Sequence, residues 1–61
     1  MANISEMELQ NLRHLLLQSE TEEEKYKDFA QAATDQNVKQ YFEKSAQCAT
    51  QKRTQLLQFL N

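Results

Sequence analysis

Sixty-one residues amount to one domain at most, and a chain this short buries only about 60% of its unfolded surface. Seven Lys and Arg against nine Asp and Glu leave a net charge of −2 and a pI near 5.2, so there is no basic footprint for nucleic acid. The chain has no Gly, Pro or Trp and is 39% hydrophobic; no apolar run approaches the roughly 18 residues of a membrane span, and the lack of helix breakers points to nearly all helix.

Small scaffolds need disulfides, a metal, oligomerisation or very regular helix packing. The one cysteine, Cys48, cannot form an internal disulfide and suggests a reducing compartment or a single intermolecular crosslink. The opening Met1-Ala2-Asn3-Ile4-Ser5 has neither the basic nor the apolar region of a signal peptide, so synthesis and retention in a cytoplasm are expected. Nine glutamines supply a polar surface with little charge.

The first helix is predicted over residues 5–33. Ser5 followed by Glu8 is a capping box, in which each side chain satisfies an orphan backbone donor. Ile4 precedes the cap and is placed to staple against Leu9. From there Leu9, Leu12, Leu16, Ser19, Glu23, Tyr26, Ala30 and Ala33 recur at alternating spacings of 3 and 4, a heptad-like stripe. Leu15 and Phe29 widen it, while Leu17 falls outside, so the first half of the helix is apolar on two sides. A turn is predicted at 34–36, where Thr34 or Asp35 can cap a new helix and Asn37 tolerates the bend.

The second helix, 37–60, carries Val38, Tyr41, Phe42, Ser45, Ala49, Lys52, Leu56, Phe59 and Leu60 at the same spacings. At 1.5 Å per residue the helices would run to roughly 43 and 36 Å. A short turn makes them antiparallel neighbours, and one hairpin leaves half of each apolar face wet. Residues 1–61 are therefore expected to be a single helical-hairpin domain that is obligately dimeric or a higher oligomer, with stability that depends on concentration. The residues expected to close that core are Leu12, Leu16, Tyr26, Phe29, Phe42, Leu56 and Phe59.

Facing positions should sum to about 71. That sets Leu12 against Phe59, Tyr26 against Ser45, Glu23 against Cys48 and Ser19 against Lys52. The middle layer then becomes a polar waist of Ser19, Glu20, Glu23 and Lys52, and Lys52 is the expected partner of Glu20 or Glu23, because a buried carboxylate must be paired, protonated or metal-bound.

Carboxylates at mid-bundle raise the di-iron chemistry of four-helix bundles, which needs a Glu from each of two helices and a Glu-x-x-His from each of the others. The chain contains no Glu-x-x-His, and its single histidine, His14, lies off the core stripe as an ordinary surface residue. Glu20 and Glu23 remain the only metal-ligand candidates, and an ion pair is the expected state for them. Cys48 has no base nearby to activate it and reads as a small core residue. No catalytic residue, cofactor or enzymatic activity is expected.

The run Glu20…Lys25-Tyr26…Phe29-Ala30…Ala33, then Val38-Lys39…Phe42…Ala46, resembles the ferritin-like helical pair of rubrerythrin-type proteins. Over nearly its whole length the chain resembles the short CotF-like spore coat proteins of clostridial-type spore formers. The shared features are Ile4-Ser5…Glu8-Leu9-Gln10…Leu12, Lys25-Tyr26…Ala30, Asp35…Val38-Lys39 and Leu56-Leu57…Leu60. What the resemblance implies is an all-α fold, an antiparallel hairpin dimerising into a ferritin-like four-helix bundle, with a structural role in a spore coat among other coat proteins. It also implies a lost metal layer. Glu20 takes the place of the first-helix ligand, but Ala49 and Lys52 take the places of the second-helix Glu and His. A degenerate ferritin-like metal-binding protein is the alternative reading. A third is a helical adaptor that docks a partner's helix through Leu15, Leu17 and the Met7 region.

Overall fold

The structure, a computed structural model, describes residues 4–60; Met1-Ala2-Asn3, on which the reading of a missing signal peptide leans, and the last position of the 1–61 domain lie outside them. Two helices, α1 (Glu6–Ala32) and α2 (Gln36–Leu60), run antiparallel against each other as a hairpin. The predicted helices, 5–33 and 37–60, differ from these by one residue at both ends of α1 and at the start of α2.

The caps explain those bounds. Ser5 is extended (φ −73°, ψ 164°), its hydroxyl accepts from the Glu8 N–H at 3.1 Å, and the Glu8 carboxylate accepts from the Ser5 N–H at 2.9 Å. The capping box is complete, so α1 begins at the next residue, with Glu6 and Glu8 at the positive end of the helix dipole. At the other end Ala33 is extended and donates to the Phe29 carbonyl at 3.0 Å. Asp35 then caps α2, its carboxylate accepting from the Val38 N–H at 3.0 Å. Among the described residues none has positive φ, so the chain reverses without the left-handed conformation that would call for glycine.

The seam between the helices is made by small side chains. Ala30, Ala46 and Ala49 are buried, and Ser19 is the most buried described residue at 2% exposed. Small residues let the two backbones approach closely, and the larger side chains flank the seam. At the turn end Phe42 is the hub of an aromatic cluster. Its ring centroid lies 5.2 Å from Phe29, 5.7 Å from Tyr41 and 6.3 Å from a stacked Tyr26. At the other end Leu9, Leu12, Leu16, Leu56 and Leu60 are half-buried. Among the described residues no large side chain is fully buried. The hairpin measures 46 × 15 × 12 Å, and among the described residues no helix is long and apolar enough to cross a membrane.

Candidate functional site

Two features stand out from the apolar packing: the polar waist, and one broad face of the hairpin.

The waist divides differently from the expectation. Ser19 points inward, and its hydroxyl donates to the Leu16 carbonyl at 2.8 Å, which satisfies it without a partner on α2. Glu23 is half-buried, while Glu20 and Lys52 are exposed. The expected pairing of Lys52 with Glu23 is corrected: the partner is Arg53, whose guanidinium donates to the Glu23 carboxylate across the seam. Lys27, one turn along α1, adds a second ion pair at 2.9 Å. The reason is angular. Each residue turns the helix by about 100°, so Arg53 stands two turns from the buried Ala46 and shares its line, whereas Lys52 shares the line of Ser45 and Phe59 beside the seam. The same rotation takes Cys48, expected opposite Glu23, out to the exposed surface.

The Lys27 ammonium, and after it the Arg53 guanidinium, hold the Glu23 carboxyl well below the usual carboxylate range, at about 2. The Ser5 backbone N–H, with the Ser5 hydroxyl, likewise lowers Glu8. A depressed folded-state pKa contributes stability that is complete above the unfolded value near 4.5 and is lost as pH falls through the folded value. Glu23→Gln should therefore lower the melting temperature at pH 6, and the gap to the wild type should close as pH is taken from about 4.5 to about 2. Thermal melts of both proteins across that range check it, and a gap that stays constant with pH would remove Glu23 as its source.

The metal reading fits poorly. Glu23 is taken by two cations, Glu20 points to solvent, and among the described residues no group of three His, Cys, Asp or Glu converges. Neither Cys48 nor exposed His14 makes a side-chain hydrogen bond among the described residues.

The broad face corresponds to the half of the apolar stripes that one hairpin is expected to leave wet. A shallow groove runs between Glu22 and Tyr26 of α1 and Tyr41, Ser45, Cys48 and Lys52 of α2. A second continues it to the turn between Phe29, Ala33, Val38 and Phe42. Leu15, Glu22 and Phe29 recur every seven residues on one side of α1, and Val38, Ser45, Lys52 and Phe59 do so on the adjoining side of α2. Leu15, Phe29, Val38, Tyr41 and Phe59 are each more than two-fifths exposed. The reverse side is more polar, with Glu23, Lys27, Glu43, Gln47 and Thr50 around a third groove, and its one exposed leucine on α2 among the described residues, Leu57, continues the line of Glu43 and Thr50. Of the seven residues expected to close the core, Leu12, Leu16, Tyr26, Phe42 and Leu56 are half-buried, while Phe29 and Phe59 are exposed on the apolar side. Met7 and Leu17 are also exposed, but Leu17 is two residues from Leu15 and so lies on the far side of α1. Leu15 and Leu17 do not make one docking surface.

The chain matches no protein-family model, no curated protein and no solved structure.

Proposed function

We propose that the chain is a non-enzymatic structural protein that self-associates through its apolar face into a four-helix bundle. The observation that carries this reading is the area left uncovered. The chain exposes 5034 Å², whereas a compact chain of 7.2 kDa exposes about 4,100 Å². The difference of roughly 900 Å² is close to the ~800 Å² per partner of a standard protein interface. Five of the eight exposed large apolar side chains among the described residues, Leu15, Phe29, Val38, Tyr41 and Phe59, gather on one side of the molecule, and an apolar patch of that kind marks an association surface. Two such faces set together bury Phe29 and Phe59 in a common core.

The resemblance of the sequence to short CotF-like spore coat proteins supplies the setting: a component of a bacterial spore coat, with the glutamine-rich outer faces meeting other coat proteins. The ion pair of Glu23 with Arg53 in the polar waist supports a structural rather than a metal-binding role.

Sedimentation equilibrium at micromolar concentration should return twice the 7.2 kDa chain mass or a higher multiple. Tyr41→Glu should shift the mass to 7.2 kDa, because Tyr41 is 65% exposed in the single chain and the new charge would be buried unpaired only between chains. A folded monomer for the wild-type protein would overturn the reading. Synthesis of the protein in vegetative cells and not during sporulation would overturn the coat setting.

A further inference from the structure

We infer that the second copy docks in one orientation, with the two turns at the same end of the bundle and Glu22 of each chain lying between Lys44 and Lys52 of the other; this rests on the self-association proposed above. Two hairpins placed face to face obey a two-fold axis in one of two ways. An axis along the hairpin sets α1 of one chain over α2 of the other, with both turns at one end. An axis across the hairpin sets each helix over its own copy, with the turns at opposite ends. All neighbouring helices are antiparallel in both cases, and the apolar side chains at the two ends of the face find apolar neighbours in both.

The charges on the face decide between them. The apolar face carries three of them beside its central groove: Glu22, Lys44 and Lys52. None of the three is in an ion pair within the chain, where the only pairs among the described residues are Glu23 with Lys27 and with Arg53. Glu22 and Cys48 lie at the middle of the hairpin's length, and Lys44 and Lys52 stand one turn to either side of Cys48. With the turns opposed, full overlap puts the axis at this level. Glu22 then meets Glu22 of the second copy, and Lys44 meets its Lys52, so every contact is between like charges. With the turns together, α1 of the second copy lies over α2 at matching level, and its Glu22 falls between the two lysines. Complementary charge sets register and orientation even where it adds little affinity. The same arrangement brings Phe29 over Tyr41 of the second copy and Leu15 to within about one turn of its Phe59, and it leaves the two Cys48 residues on diagonally opposed helices, beyond the ~7 Å Cα separation that a disulfide tolerates.

The test is a distance. Thr34, exposed in the turn, is replaced by cysteine in the Cys48→Ser background of the full chain, a nitroxide is attached, and the spin–spin distance is measured by pulsed electron resonance. Turns together give a spacing of roughly 20 Å, one or two interhelical distances plus the label arms. A spacing near the 46 Å hairpin length overturns the orientation and leaves the dimer standing. A protein without dipolar coupling, and with the mass of one chain, overturns the self-association on which the orientation rests. A second set of variants reads the charges. Glu22→Lys should weaken association about tenfold, and adding Lys44→Glu with Lys52→Glu should restore it. If Glu22→Lys leaves association unchanged, as it would where like already faces like, the orientation is wrong.

Discussion

Phe42→Ala should leave the chain without a folded state at micromolar concentration. Phe42 is the ring on which Tyr26, Phe29 and Tyr41 all converge, and among the described residues there is no fully buried large side chain to hold the hairpin without it. Removing a packed phenylalanine costs about 3–5 kcal/mol. A chain of 61 residues has only about 3–9 kcal/mol to lose. In a two-fold assembly the loss occurs once per chain, so the assembled state loses it twice. Far-UV circular dichroism should show most of the helix signal gone, whereas Phe42→Leu, which keeps the volume near and forfeits only the ring geometry, should keep it at a reduced melting temperature. Wild-type helix content and melting temperature for Phe42→Ala would mean that the aromatic cluster is decoration and the alanine seam holds the hairpin alone.

The melting temperature of the wild-type protein should rise by about 5 °C for every tenfold increase in concentration. Unfolding of an associated pair releases two chains, so dilution favours the unfolded side. A tenfold change in concentration is worth about 1.4 kcal/mol, and two chains of 61 residues unfold with an entropy of roughly 250 cal/mol/K. Their ratio sets the slope. Calorimetry over a hundredfold range would resolve a shift of about 10 °C. A melting temperature that does not move with concentration would describe a self-sufficient hairpin, and with it the apolar face would lose its partner.

The hairpin itself is written in local signals. Ser5 with Glu8, and Asp35 three residues ahead of Val38, each place a side-chain oxygen within reach of a free helix N–H, and such signals can be read without knowing what else the chain touches. The spacings of 3 and 4 along both helices are of the same kind. What escaped is rotational. On α2, a stripe drawn through Val38, Tyr41, Ser45, Lys52 and Phe59 as well as Phe42, Ala49, Leu56 and Leu60 spans more than one face, and one residue's step of about 100° separates an inward Arg53 from an outward Lys52. Nothing in the spacing says which half of a wide stripe meets the neighbouring helix and which half meets solvent or a second copy. The seam was legible in part. Ser19, Ala30 and Ala49 stand on the stripes, but ranking residues by hydrophobicity selects Leu and Phe as core, while the most buried described positions are Ala30, Ala46, Ala49 and Ser19, whose value lies in the bulk they lack. The central carboxylate was legible as Glu23, since a polar residue on the stripe must find a partner, but its partner depends on the rotation of α2.

The aromatic cluster beside the turn gives the hairpin a direction in time. Phe29 and Tyr26 stand 13 and 16 residues before Phe42, so bringing these rings together closes a shorter loop, at smaller entropic cost, than any contact near the chain ends. Contacts near the chain ends, such as those among Leu12, Leu16 and Leu56, close a loop that contains most of the sequence. Contacts of low sequence separation form first in proteins of this kind. The two helices should therefore zip from the turn toward the termini, with φ-values higher for substitutions around Phe42 than around Leu56 as the check, and Phe29, Val38 and Tyr41 would then be gathered on one face before the leucine end has closed.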